Sequence, residues 1–201
     1  MTGWLPLYLR SRRLPAALAV SLAAVVVTWA AWSATTDRRQ VDQSLTVLTV
    51  VLALAPAIPT LAGDDDVLES TAALRWRPRR AVHLVACFGV VAAALAVTRA
   101  TGAWFGPTGE VVRDSAGLTG LIGLSAALLG TRIAWAPPIG WAAIQVIFGH
   151  PAGNGILFWL MQPAGSRPAA VTAAMLFAGG VLAYAVRPGP PAPPGEATMG
   201  Q

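Results

Sequence analysis

Hydrophobic and polar positions alternate along this chain in long blocks. Apolar runs cover Leu14 to Thr35, Val41 to Ala62, Ala81 to Thr98, Ser115 to Ala134, Pro138 to Gln162 and Pro168 to Val186, with short polar segments between them. A helix rises about 1.5 Å per residue, so roughly 20 apolar residues cross a bilayer core. The pattern therefore predicts an all-α integral membrane protein built as a six-transmembrane-helix bundle. Thr36-Asp37-Arg38-Arg39-Gln40 makes a tight polar hairpin between the first two runs. Pro56 and Pro59 predict a kink in the last third of the second run, because each removes a backbone donor. The fifth run is broken at 150–155 by His150-Pro151-Ala152-Gly153-Asn154-Gly155. Its unsatisfied backbone must be buried in protein, lie near the interface or line a wet cavity. Residues 1–13 read as a basic interfacial segment, and the Pro-rich 188–201 as a disordered tail. Ala31-Trp32-Ser33 offers a weak processing site, but the first run is longer than the roughly 7–15 residues of a signal-peptide core and reads as a span.

Composition agrees. Of 201 residues 55% are hydrophobic and 11% charged, and the mean hydropathy is +0.60. A soluble domain carries about 25% charge, so a water-facing globule and a disordered chain are both excluded, and six spans leave no room for a soluble catalytic domain. All 14 basic residues are Arg, which excludes a Schiff base and a phosphate-loop lysine. Gly-x-Ser-x-Gly and His-Glu-x-x-His are absent, and Ser125 reads as bonding its own helix. The single Cys87 sits in an apolar run and reads as a small core residue. No catalytic residue, metal or cofactor is implied, and the basic charge does not point to nucleic acid.

Arg near span ends favours the cytoplasm. With the N-terminus inside, the inner segments hold nine Arg (10, 12, 13, 75, 77, 79, 80, 132 and 187) and the outer ones five (38, 39, 99, 113 and 167). Both termini are therefore expected to be cytoplasmic in a multi-pass plasma-membrane protein. Trp4, Tyr8, Trp76, Trp104, Trp135 and Trp141 lie near span ends, where amphipathic rings suit the headgroup region. Arg132 is expected to snorkel to the inner interface.

Two small-residue stripes stand out at helical spacing: Gly120, Gly123, Ala127 and Gly130 in the fourth run, and Gly89, Ala93, Ala96 and Ala100 in the third. They fit close packing within the bundle or a seam between subunits. Ionisable residues inside spans are functional by default. Asp42 and Asp114 are expected at outer span ends, leaving His150, beside the break, as the candidate for a polar pathway with Asn154 and Gln145. Capping of exposed backbone is the competing role for His150. His83 is expected near the inner start of the third span, too far from His150 for a shared metal.

The inner connection from Gly63 to Arg80 carries the most information. Asp64, Asp65 and Asp66 lead, Glu69 follows, and Arg75, Arg77, Arg79 and Arg80 close it. Acid first and base last matches a helix dipole, and Val67, Leu68, Thr71, Ala72 and Leu74 share one face. A short amphipathic surface helix capped by one of the three Asp is expected. It suits either contact with anionic membrane lipid or docking of a cytosolic partner through paired charges.

With six spans, both termini inside, and Asp66-Val67-Leu68-Glu69 followed by Trp76-Arg77-Pro78-Arg79-Arg80 between spans two and three, the chain resembles the membrane subunits of ABC-2 type ABC exporters, in particular short actinobacterial permeases. The resemblance implies a permease that pairs with itself or a related subunit and takes energy from a separate cytosolic ABC ATPase. It implies that the 63–80 connection is the coupling helix, with Glu69 at a recurrent acidic position. The family commonly has a longer outer re-entrant segment before the last span, where this chain has only the broken fifth run and Pro163 to Arg167. A non-transporting membrane scaffold or regulatory subunit is the alternative.

Overall fold

Apolar stretches this long satisfy their backbone internally only as helices, and helices are what the chain forms. The computed structural model describes residues 14–62, 76–149 and 154–186. Helix α1 is Leu14–Thr35, α2 Gln43–Leu54, α3 Trp76–Val97, α4 Thr108–Leu129, α5 Ala136–Phe148 and α6 Arg167–Val186. Among the described residues the only β feature is an isolated bridge between Gln40 and Trp104. Five helices, counting the 3-10 extensions of α2 and α3, are long and apolar enough to cross a membrane; α5 is not.

Asp42 caps α2 by accepting the Ser44 N–H at 2.9 Å. At Ala55, where Pro56 follows, α2 tightens into a 3-10 helix over Ala55–Leu61; the expected kink is thus a change of helix type. The third and fourth helices both begin earlier than expected. Residues 76–80, expected at the close of the surface connection, are helical and continuous with α3. Helix α4 starts at Thr108 instead of Ser115 and stops at Leu129 instead of Ala134. Gly130, at φ +84°, ends it in a backbone conformation that a side chain disfavours. The 63–75 stretch, with Asp64, Asp65, Asp66, Glu69 and Arg75, lies outside the described residues, as do 1–13, 150–153 and 187–201.

Contacts set the helix directions. Gly120 of α4 meets Leu176 and Phe177 of α6, and Gly123 meets Gly180. Advancing along one helix advances along the other, so α4 and α6 run parallel, and the 130–166 segment must carry the chain back past the length of α4. One end of the bundle gathers the 36–42 hairpin, the 98–107 connection and the start of α6: Trp104 exchanges backbone bonds with Arg39 and Val41 at 2.8 and 2.9 Å. We call this the hairpin end. At the opposite end Tyr184 of α6 donates to the Leu61 carbonyl at 2.6 Å, and Thr60 and His83 bond at 2.9 Å.

The two small-residue stripes have different fates. That of α4 is a packing seam: Gly120, Gly123 and Ala127 are buried, and any Cβ on Gly120 would overlap the α6 backbone. That of α3 is not, since Gly89, Ala93 and Ala100 are exposed and nothing lies within 4 Å of a Cβ built on Gly89. Cys87 is buried, and Ser125 bonds its own helix through the Leu121 carbonyl at 2.7 Å.

Candidate functional site

Between α3 and α4 the chain turns sharply at Gly106, whose φ of +111° a side chain would oppose. Pro107 then starts α4. Two turns in stand Arg113 and Asp114, with side chains 5% and 1% exposed. Consecutive helix residues do not normally face one another. Here Arg113 curls so that its Nε donates to Asp114 Oδ1 at 2.8 Å. Its Nη1 donates to the carbonyls of Gln162 at 2.7 Å and Pro163 at 3.1 Å. Nη2 is buried with no partner among the described residues. Hydrogen bonds to the remaining donors support a buried Arg–carboxylate pair, and here the 162–163 carbonyls take Nη1.

Those carbonyls are available because the chain is not helical there. Helix α5 ends at Gly149, and the return passes through turns and a single 3-10 turn, Trp159–Met161. Backbone of this kind inside an apolar bundle must find partners. Gln43 of α2 donates its amide to the Leu160 carbonyl at 2.8 Å, Gln145 of α5 donates to the Leu157 carbonyl, and Glu110 accepts the Ala164 N–H at 2.8 Å. Trp159, 1% exposed, packs its ring over Gly117, where a Cβ would overlap it.

Beside the ion pair is a pocket of about 200 Å³ lined by Gln40, Val41, Gln43, Thr46, Phe105, Glu110, Asp114, Met161 and Pro163. It sits at the hairpin end, and Gln40 and Pro163 on its wall are exposed. The polar chemistry of the site is therefore two carboxylates, one guanidinium and two amides against an apolar wall.

The residues singled out from sequence fare unequally. Gln145 is fully buried and holds the return. Asn154 is exposed and makes a local turn, accepting the N–H groups of Ile156 and Leu157, the latter being the residue whose carbonyl Gln145 holds. His150 lies outside the described residues. Arg77 is exposed, while Arg79 and Arg80 are half-buried on α3; the structure brings none of them to the pocket. Arg132 is exposed in the turn after α4, beside Trp135 in a separate open cleft with Ala55 and Ile58. Among the described residues no three His, Cys, Asp or Glu side chains come together as metal ligands. Asp114 is not at a span end: it is buried within α4. Sequence reasoning missed it, together with Arg113, Glu110 and Gln43. The available signal was the adjacency of opposite charges just before an apolar run, which lets the pair enter the helix as a neutral unit.

No family model matches the chain, nor does any curated protein or solved structure.

Proposed function

We propose that this chain is a permease subunit of an ABC-type exporter in the plasma membrane, energised by a separate cytosolic ATPase and pairing with itself or a related permease. The observation that carries the reading is the buried Arg113–Asp114 pair clamping non-helical backbone inside a bundle of membrane-length helices. Ionisable groups and interrupted helices within spans mark transport pathways.

In this reading α5 and the 154–163 return together make a sixth crossing. The parallel course of α4 and α6 supports it, since parallel neighbours need a return between them. The hairpin end then faces outward and both termini face the cytoplasm, in keeping with the excess of Arg in the inner segments. The connection between α2 and α3 receives the ATPase through Asp64, Asp65, Asp66 and Glu69, with Arg75, Arg77, Arg79 and Arg80. Force on that connection reaches α2 and α3 directly and α6 through the Tyr184–Leu61 bond. The chain brings no motor of its own, having no Lys for a phosphate loop.

The competing reading, a non-transporting scaffold or regulatory subunit, takes Arg113 as a structural clamp only. The two separate on affinity purification of the tagged full chain from its own membranes in mild detergent. A nucleotide-binding ATPase is expected to co-purify and to be lost when Glu69→Lys and Arg79→Glu are combined. Recovery of the chain with no nucleotide-binding protein would favour the scaffold.

A further inference from the structure

The pocket at the hairpin end has an uneven charge. Glu110 and Asp114 contribute two carboxylates to its wall, and the single guanidinium of Arg113 neutralises only one. Asp114 is 1% exposed, and its Oδ1 is taken by Arg113; its other oxygen has no donor among the described residues. Glu110 uses one oxygen on the Ala164 N–H, and its Oε2 lies toward Gly106, 3.5 Å from where a Cβ would stand. Gln43 spends its amide nitrogen on the Leu160 and Gln162 carbonyls, which leaves its oxygen as an acceptor. Gln40, also on the wall, brings one amide whose Nε2 stands 3.6 Å from that same Gly106 Cβ position, and Thr46 spends its hydroxyl on the Asp42 and Phe105 carbonyls. Acceptors still outnumber donors, and the remaining wall is Val41, Phe105, Met161 and Pro163.

We propose that this pocket receives a primary ammonium group carried on a small apolar body. An ammonium supplies three donors and the positive charge that the lining residues lack, and buried carboxylate oxygens form stronger hydrogen bonds to charged donors than to neutral ones. The apolar body lies against Phe105 and Met161, and the volume of about 200 Å³ limits it to a few carbons. An anion is opposed by the net negative charge. The inference deepens the permease reading and rests on it for the ammonium compound being cargo; binding itself does not need the ATPase.

Isothermal titration calorimetry on the full chain in lipid nanodiscs, with empty nanodiscs subtracted, tests it using n-butylammonium, n-butanol and n-butyrate. These share one apolar body and differ in charge. Saturable binding of n-butylammonium is expected, with the alcohol and the carboxylate at least about tenfold weaker. Glu110→Gln keeps an acceptor for the Ala164 N–H and removes the charge, and should weaken n-butylammonium about tenfold; Asp114→Asn should weaken it further. Equal binding of n-butanol, or unchanged binding by Glu110→Gln, would overturn the proposal. That failure leaves ATPase co-purification untouched, whereas absence of any ATPase with n-butylammonium still bound would remove the permease reading and keep the site.

Discussion

Gly120 and Gly180 meet backbone to backbone across the α4–α6 contact, so closely that a Cβ built on Gly180 would overlap the Gly120 carbonyl. Small residues let membrane helices approach until dispersion and weak polar contacts hold them. Gly180→Val should therefore separate α4 from α6 and cost more than the roughly 1–3 kcal/mol of ordinary overpacking, because backbone cannot yield as a side chain does. Size-exclusion profiles in detergent should show loss of the monodisperse species. Gly89→Ala, in open space, should keep the profile and raise helix stability by up to about 1 kcal/mol.

Removing one member of the buried pair should be worse than removing both. Arg113→Met strands Asp114 at 1% exposure, and breaking a buried pair this way costs about 3–5 kcal/mol. The double variant Arg113→Met with Asp114→Leu should recover most of the loss in thermal unfolding. Equal loss in single and double variants would mean that the 162–163 carbonyls, not the carboxylate, are the partners that matter.

Among the described residues Trp159 is the largest fully buried side chain, and it fills the space that Gly117 leaves open. Trp159→Ala should cost about 3–5 kcal/mol, read as a lower unfolding temperature and as proteolysis within the 154–163 return.

At the opposite end, Tyr184→Phe removes the donor to the Leu61 carbonyl. A loss near 1 kcal/mol is expected, with faster amide exchange at residues 58–62 and little change in α4.

The spans that sequence located best are those whose ends coincide with a change in polarity. Helix α1 ends at Thr35, as its apolar run does, and α6 begins one residue before its apolar run. Helix α4 was misplaced by about two turns because hydropathy treats Arg113 and Asp114 as two exposed charges, while in the fold they form one pair. The fifth run was expected to break at 150–155, and its helix does end at Phe148; what the local sequence did not show is that the return's carbonyls are satisfied by Gln145 of the same run and by Gln43 and Arg113 from α2 and α4. Pairings across 50 to 120 residues leave no local trace in sequence. The stripe on α3 had the same local pattern as that on α4; which of them meets a neighbour depends on the bundle, not on the pattern.

The account stands on the acidic pocket and the α2–α3 connection lying on opposite sides of the membrane. Single cysteines at the exposed positions Gly102, Gly165 and Ala62, in a Cys87→Ala background, can be challenged with a membrane-impermeant maleimide on intact cells. Labelling at 102 and 165 without permeabilisation, and at 62 only after it, is the predicted result. Labelling of 62 from outside, or of all three from one side, would contradict the account.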